Sequence, residues 1–275
     1  MTQTHNPEAA KVFAFTNCLC ALFGVSDRDE ATLIGTAVPI EVAGNRFLLT
    51  AAHVLDNNSL SALYVQIEGE LSALLATEAC KTPLPPSGSR EDDKVDVACI
   101  RLDEPFRNSL ARVMFVDPKL IDVNHIARTD HRYTFMGYPS SKNRFMLKKR
   151  PLRLTAWSYT SRSALTQDYG QLGISTATHI CVPFDKERVL DESNQVITAP
   201  DMYGMSGGPV WFHSTDGLFK LAAIGTDHKR RSCKVLIGTG IAVFAAALAK
   251  QWPNLKDSLP PIRNAKINVE CVSVP

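Results

Sequence analysis

The sequence predicts an all-β fold of the β-barrel kind, with helix only at its two ends. Three observations carry that expectation. From Thr32 onward the apolar residues come in short runs, separated by Gly, Pro, Asn and Asp turn signals. Helical texture is confined to a stretch near the start and an alanine-rich stretch near the end. Nowhere do strands and helices alternate, as a parallel sheet would need. The chain has 275 residues, 45% of them apolar, which is at the upper end for one all-β unit and enough for a sizeable core.

Taken in order, Asn6-Pro7-Glu8 offers a cap and a first-turn proline, so a helix is expected from about Pro7 to Phe23. Ser26–Ala31 reads as a polar connection. Leu33–Ile40 and Arg46–Thr50 are strands, with Ala43-Gly44-Asn45 as their hairpin turn. Leu63–Ile67 and Leu71–Ala76 form a second pair around Glu68-Gly69-Glu70. Residues 81–94 are polar and rich in Pro and Gly, which marks an exposed surface loop. Val95–Leu102 is a strand. Residues 103–130 carry weak signals and are expected to bridge two halves. Tyr133–Tyr138, Arg150–Tyr159, Thr178–Val182, Val210–Phe212, Leu218–Gly225 and Val235–Val243 complete the strands. Ala242–Lys250 is a helix that Pro253 stops.

Composition narrows the function classes. Thirty basic and 28 acidic residues leave a net charge of +2, which gives no reason to expect nucleic acid or a membrane surface as partner. The basic run Lys148-Lys149-Arg150, with Arg144 and Arg153, reads as a solvated hairpin. Seven cysteines, an odd number with no Cys-x-x-Cys pair, favour free thiols in a reducing compartment. Cys18 and Cys20 read as packing residues. The first residues lack a basic leader region, and Val12–Val25 is too short to span a bilayer, so a cytoplasmic location is expected. His125, His131, His179, His213 and His228 show no metal-ligand spacing and read as surface or core histidines. No metal or organic cofactor is expected.

Three short segments carry chemistry. Gly204-Met205-Ser206-Gly207-Gly208-Pro209-Val210 sets a serine hydroxyl on a tight, exposed turn. A serine is a weak nucleophile until a base takes its proton. Leu49-Thr50-Ala51-Ala52-His53 supplies an imidazole at a strand end, suited to accept and return a proton near neutrality. Asp96-Val97-Ala98-Cys99-Ile100 opens a strand with a carboxylate that can orient the ring. Asp92, Asp93 and Asp103 compete for that role, but only Asp96 directly opens the apolar strand. The amides of Gly204 and Ser206 are expected to receive the oxyanion, because a glycine lets the backbone N–H approach a ligand unobstructed.

With Phe135-Met136-Gly137-Tyr138-Pro139 and Ala223-Ile224-Gly225 as fainter matches, these segments resemble the chymotrypsin-fold (trypsin-like) serine peptidases, of the compact, disulfide-free bacterial type. The order His, Asp, Ser fits that family, with 43 residues from His53 to Asp96 and 110 from Asp96 to Ser206. The resemblance covers roughly residues 30–245 and implies two antiparallel six-stranded β-barrels with the catalytic residues in the cleft between them. It divides the chain into an N-terminal extension (1–30), a first barrel (31–120), a second barrel (121–245) and a C-terminal helix and tail (242–275), all one peptidase unit. The implied function is a serine endopeptidase acting on protein or peptide substrates through an acyl-enzyme, narrow in specificity and held in check by a regulatory partner or by segment 1–30. A catalytically silent module of the same fold and an esterase-type acyl hydrolase are the alternatives. An α/β-hydrolase is disfavoured by its order Ser, Asp, His.

Departures from the family's pattern are informative. No Ile-Val-Gly-Gly-like start exists, so activation through a freed amino terminus is not expected. Val54 stands where a cysteine commonly follows the histidine. The position six residues before the serine, which an aspartate would make selective for Lys or Arg, is Pro200, with Asp201 beside it. Thr226-Asp227-His228 are expected to line the substrate pocket, where Asp227 would admit a polar or basic side chain.

Overall fold

The computed structural model describes residues 15–25, 31–57, 62–67, 69–74, 76–103, 113–143, 152–191, 193–230, 233–262 and 267–273. It contains two antiparallel sheets, as the all-β expectation requires. The first is built from β1 (Cys20–Val25), β2 (Ala31–Val42), β3 (Asn45–Thr50), β4 (Ala62–Ile67), β5 (Glu70–Ala73), β6 (Ala76–Lys81), β7 (Ala98–Leu102) and β16 (Glu270–Val272). Their order is β16-β6-β7-β3-β2-β1-β4-β5, giving eight strands rather than six because β16 joins one edge and β5 the other. The second sheet has six strands: β8 (Arg132–Gly137), β9 (Trp157–Arg162), β10 (His179–Pro183), β13 (Pro209–His213), β14 (Phe219–Lys229) and β15 (Val235–Gly240), in the order β10-β15-β14-β13-β8-β9. It curls until its edges meet, where the Tyr159 hydroxyl donates to the Pro183 carbonyl at 2.9 Å. Between β10 and β13 in sequence, β11 (Val189–Leu190) and β12 (Val196–Ile197) form a separate two-stranded ribbon.

Each sheet wraps its own apolar residues. Leu22, Leu48, Val54, Val65 and Ile100 fill the first, whereas Tyr133, Val182, Phe184, Val210 and Leu236 fill the second. A third cluster joins the halves, in which Trp211 of β13 packs with Phe47, Leu49 and Phe244 of the C-terminal helix α3 (Ile241–Gln251). Ala-rich composition gives α3 its propensity, and Pro253 follows its end. Of the bridge expected at 103–130, residues 104–112 lie outside the described residues; in the remainder Val116 pairs with Ile40 of the first sheet and Ile121 with Leu221 of the second. Two further helices are short, α1 (Ala52–Asp56) and α2 (Thr166–Leu172).

The expected N-terminal helix needs correction. Its part within 1–14 lies outside the described residues. Phe15–Cys18 form a single 3₁₀ turn and Cys20–Val25 are strand β1, paired with β2 and β4. Short apolar runs do not distinguish a buried strand from a buried helix, and neighbours on both sides decided this one. Phe15 packs against Trp211 with centroids 4.4 Å apart and the rings tilted by 33°, tying this turn to the second sheet. The strand expected at Val95 begins only at Ala98, because Asp96 takes a left-handed φ of +51° that no regular strand accepts.

Candidate active site

Strand β3 ends at Thr50, and α1 follows at once, with Ala51 and Ala52 fully buried beneath it. Small residues there let His53 sit against the turn that carries Asp96. Two hydrogen bonds join the pair. The His53 amide donates to Asp96 Oδ1 at 2.9 Å, and His53 Nδ1 lies 2.6 Å from Asp96 Oδ2. A carboxylate only accepts, so Nδ1 carries the proton and Nε2 faces outward as an acceptor. The Asp96 side chain is 7% exposed and that of His53 35%, so the carboxylate is enclosed while the ring reaches the cavity. Burial pulls the His53 pKa down. The hydrogen bond and charge of Asp96, with Asp227 and Asp56 behind it, outweigh burial and hold it above the ordinary histidine value.

The loop read as a plain surface loop contributes to this geometry. Arg90 donates to Asp56 of α1 at 2.6 Å and to Asp93 at 2.7 Å. Lys81 adds a 2.7 Å bond to Asp56. Asp93 in turn accepts from the amides of Val95 and Asp96, at 3.0 and 2.9 Å, and from the Thr82 hydroxyl at 2.7 Å. Asp93 is therefore not a rival to Asp96 but the brace of its turn. Sequence patterns give little access to such a brace, since each member is an ordinary charged loop residue.

The serine turn is fixed from three sides. The Thr36 amide donates to the Ser206 carbonyl at 2.8 Å, and the Thr36 hydroxyl to the Gly204 carbonyl at 2.8 Å. Gly207 and Gly208 exchange backbone bonds with Gly225 of β14, both at 2.7 Å. Gly204 and Gly207 hold φ of +89° and +88°, a region favourable only to glycine. With the carbonyls engaged, the amides of Gly204 and Ser206 have no acceptor among the described residues. Neither Ser206 Oγ nor His53 Nε2 has a hydrogen-bond partner among them either.

His53, Asp96 and Ser206 line one cavity of about 500 Å³. Thr226, Asp227 and His228, expected in the substrate pocket, line it too. A bulge in the β14–β15 ladder between Gly225 and Asp227 sets their orientation. Asp227 is bound at 2.6 Å by Lys229, which offsets its charge. The other expected pocket residues, Pro200 and Asp201, are not in this wall. Met202 takes the place at the cavity, and Asp201 turns to a neighbouring surface cavity with Thr32, Ser140 and Tyr203. It is held there by Arg230 at 2.9 Å and by the Ser141 hydroxyl, which accepts its amide at 3.0 Å. Phe135, Met205, Leu236 and Ile237 give the cavity an apolar side that sequence patterns had not assigned.

No protein-family model matches the chain, and no curated protein sequence does. Among solved structures it is similar to neuropsin, a serine protease expressed in the limbic system of mouse brain. The two are 16% identical with a TM-score of 0.52, over 86% of this chain and 94% of that one. It is also similar to a thermostable serine protease from an extremophilic microorganism, at 15% identity and a TM-score of 0.46, over 82% of this chain and 92% of that one. At such identities the likeness to neuropsin establishes the fold, a chymotrypsin-like double β-barrel.

Proposed function

We propose that the chain is a serine endopeptidase in which Ser206 is the nucleophile, His53 the general base and Asp96 its orienting partner. One observation carries the reading. His53 Nδ1 is committed to Asp96 at 2.6 Å, which leaves Nε2 as the acceptor on the cavity that also holds Ser206. In the mechanism that follows, a substrate carbonyl enters the cavity and Ser206 Oγ attacks it as His53 Nε2 takes the hydroxyl proton. In this reading the negative oxygen is received by the amide of Ser206, which lines the cavity, and by that of Gly204, which is not itself in the cavity lining and has no acceptor among the described residues; one lost donor costs about 10²–10³ in rate. His53 then gives its proton to the leaving amine, and water, activated in the same way, releases the acyl group.

The apolar wall and offset Asp227 support a narrow preference at the residue before the cleaved bond. The partner or element that restrains such an enzyme is part of the same proposal. A fluorophosphonate probe tests the reading. It is expected to label the wild-type chain and leave Ser206→Ala unlabelled. Equal labelling of both would place the nucleophile at a residue other than Ser206, and no labelling of the folded wild type would favour a silent module; either result rules the reading out. Cleavage of ester but of no peptide in a peptide library would shift the assignment to an acyl hydrolase of other substrates.

A further inference from the structure

His53 and Asp96 both come from segments adjoining strands of the first sheet, α1 after β3 and the turn before β7, yet the turn that carries Asp96 is gripped from the second. Asp96 is a non-glycine residue at φ +51°, a strained conformation that persists only where its surroundings over-determine it. First-sheet contacts supply part of that: Asp93 braces the amides, and the Asp96 carbonyl accepts from Ala52 at 3.2 Å. The two carbonyls immediately before Asp96 have partners in the other half. The Lys94 carbonyl accepts from His179 Nε2 at 2.6 Å, and the Val95 carbonyl from the Thr239 hydroxyl at 2.6 Å.

These donors are not scattered. His179 of β10 and Thr239 of β15 are direct cross-strand partners, so their side chains emerge side by side from one face. They are 5% and 0% exposed. A carbonyl only accepts, so His179 carries its proton on Nε2, and Nδ1 takes the Thr178 hydroxyl at 2.9 Å, which fixes the tautomer. Lys94 adds a third tie, its ammonium donating to the Gly173 carbonyl at 3.2 Å.

We propose that His179, with Thr239 beside it, is a positioning residue that couples the docking of the second sheet to the placement of the Asp96 carboxylate behind His53. The role rests on the peptidase reading. Both bonds end on backbone carbonyls one and two residues before Asp96, so losing either frees the strained turn to rotate its carboxylate away from the ring. A displacement on the order of 1 Å in such a group costs roughly 10²-fold in rate.

The test is a pH titration of the His53 imidazole by ¹⁵N NMR in the full chain, with the resonance assigned by its loss in His53→Gln, run beside kcat and KM on a cleaved peptide. The variants are His179→Leu, His179→Gln, which keeps an N–H donor at similar reach, and Thr239→Val. In His179→Leu and Thr239→Val the His53 midpoint is expected to fall and kcat to drop about tenfold to a hundredfold with KM unchanged. His179→Gln is expected to stay near wild type. If His179→Leu does not fold, Thr239→Val carries the test, since it removes only a hydroxyl. A His53 midpoint and kcat unmoved in the folded variants, even with lowered stability, would overturn the coupling. A wild type that neither cleaves nor takes the probe, but whose His53 midpoint still falls in these variants, would remove the peptidase reading and leave the coupling standing.

Discussion

Three carboxylates act on His53 besides the burial that opposes them, and they differ in what they can be asked to do. Asp96 is bonded to the ring, and Asp56 is spent on Arg90 and Lys81. Asp227 acts through space from the cavity wall and still contributes to the raised His53 pKa. It is the one of the three that can be neutralised without touching the brace. Asp227→Asn is therefore expected to move the acid limb of kcat/KM to lower pH, since less negative charge leaves the imidazolium easier to deprotonate. A kcat/KM profile from pH 5 to 8 checks it, and an acid limb that stays in place or moves upward would contradict the charge argument. At this scale the meeting of His53, Asp96 and Ser206 at one cavity was legible in the sequence, because each sits in a local motif whose neighbours explain it. Pro200 and Asp201 were not legible in the same way. One residue of offset decides whether a side chain enters a cavity, and here Met202 enters while Asp201 is drawn off by Arg230.

The serine turn depends on being an element without side chains at chosen points. A Cβ at Gly207 would lie 1.9 Å from the Thr36 carbonyl oxygen, a backbone atom that cannot swing aside, and φ there is +88°. Gly207→Ala is accordingly expected to destabilise the fold by about 2–5 kcal/mol, the sum of backbone strain and overpacking. Urea unfolding of the two proteins measures it, and a loss under about 1 kcal/mol would mean that the turn gives way more readily than its three-sided hydrogen bonding suggests. Elements of this kind can be read from sequence, since a Gly-rich turn before an apolar strand has few alternatives. Strand β1 could not be, because six apolar residues satisfy helix and strand equally until β2 and β4 flank them. Strand β16 is similar: three residues of tail gain their conformation only by pairing with β6. The Arg90–Asp93–Asp56 brace escapes sequence reading for the same reason, since its members meet only after the chain has folded.

Across the whole molecule, the histidines make stability depend on pH in opposing directions. His179, His228 and His131 are held below the ordinary value, each first by burial. For His228 the Arg230 charge adds to it, and for His131 the nearby His125 does. A histidine so placed is neutral in the folded chain while it would take a proton when unfolded. It supports folding above about pH 6.5, and that support is lost as pH falls below it. His53 has the opposite sign. Its raised pKa supports folding fully below about pH 6.5 and ceases to as pH rises through the folded value. His179, 5% exposed, is far more enclosed than the 35% exposed His53 side chain, so stability is expected to fall on acidification from pH 7.5 to 5, before the lowered carboxyls of Asp56 and Asp122 begin to matter. Urea midpoints across that range test the sign, and a chain that grows more stable toward pH 5 would contradict it. His179→Gln sharpens the test, because a group that cannot titrate should flatten the decline. The part of the decline that disappears is then the part due to burial of the His179 ring at the junction behind Asp96, since its bond to the Lys94 carbonyl favours the protonated ring and burial outweighs it.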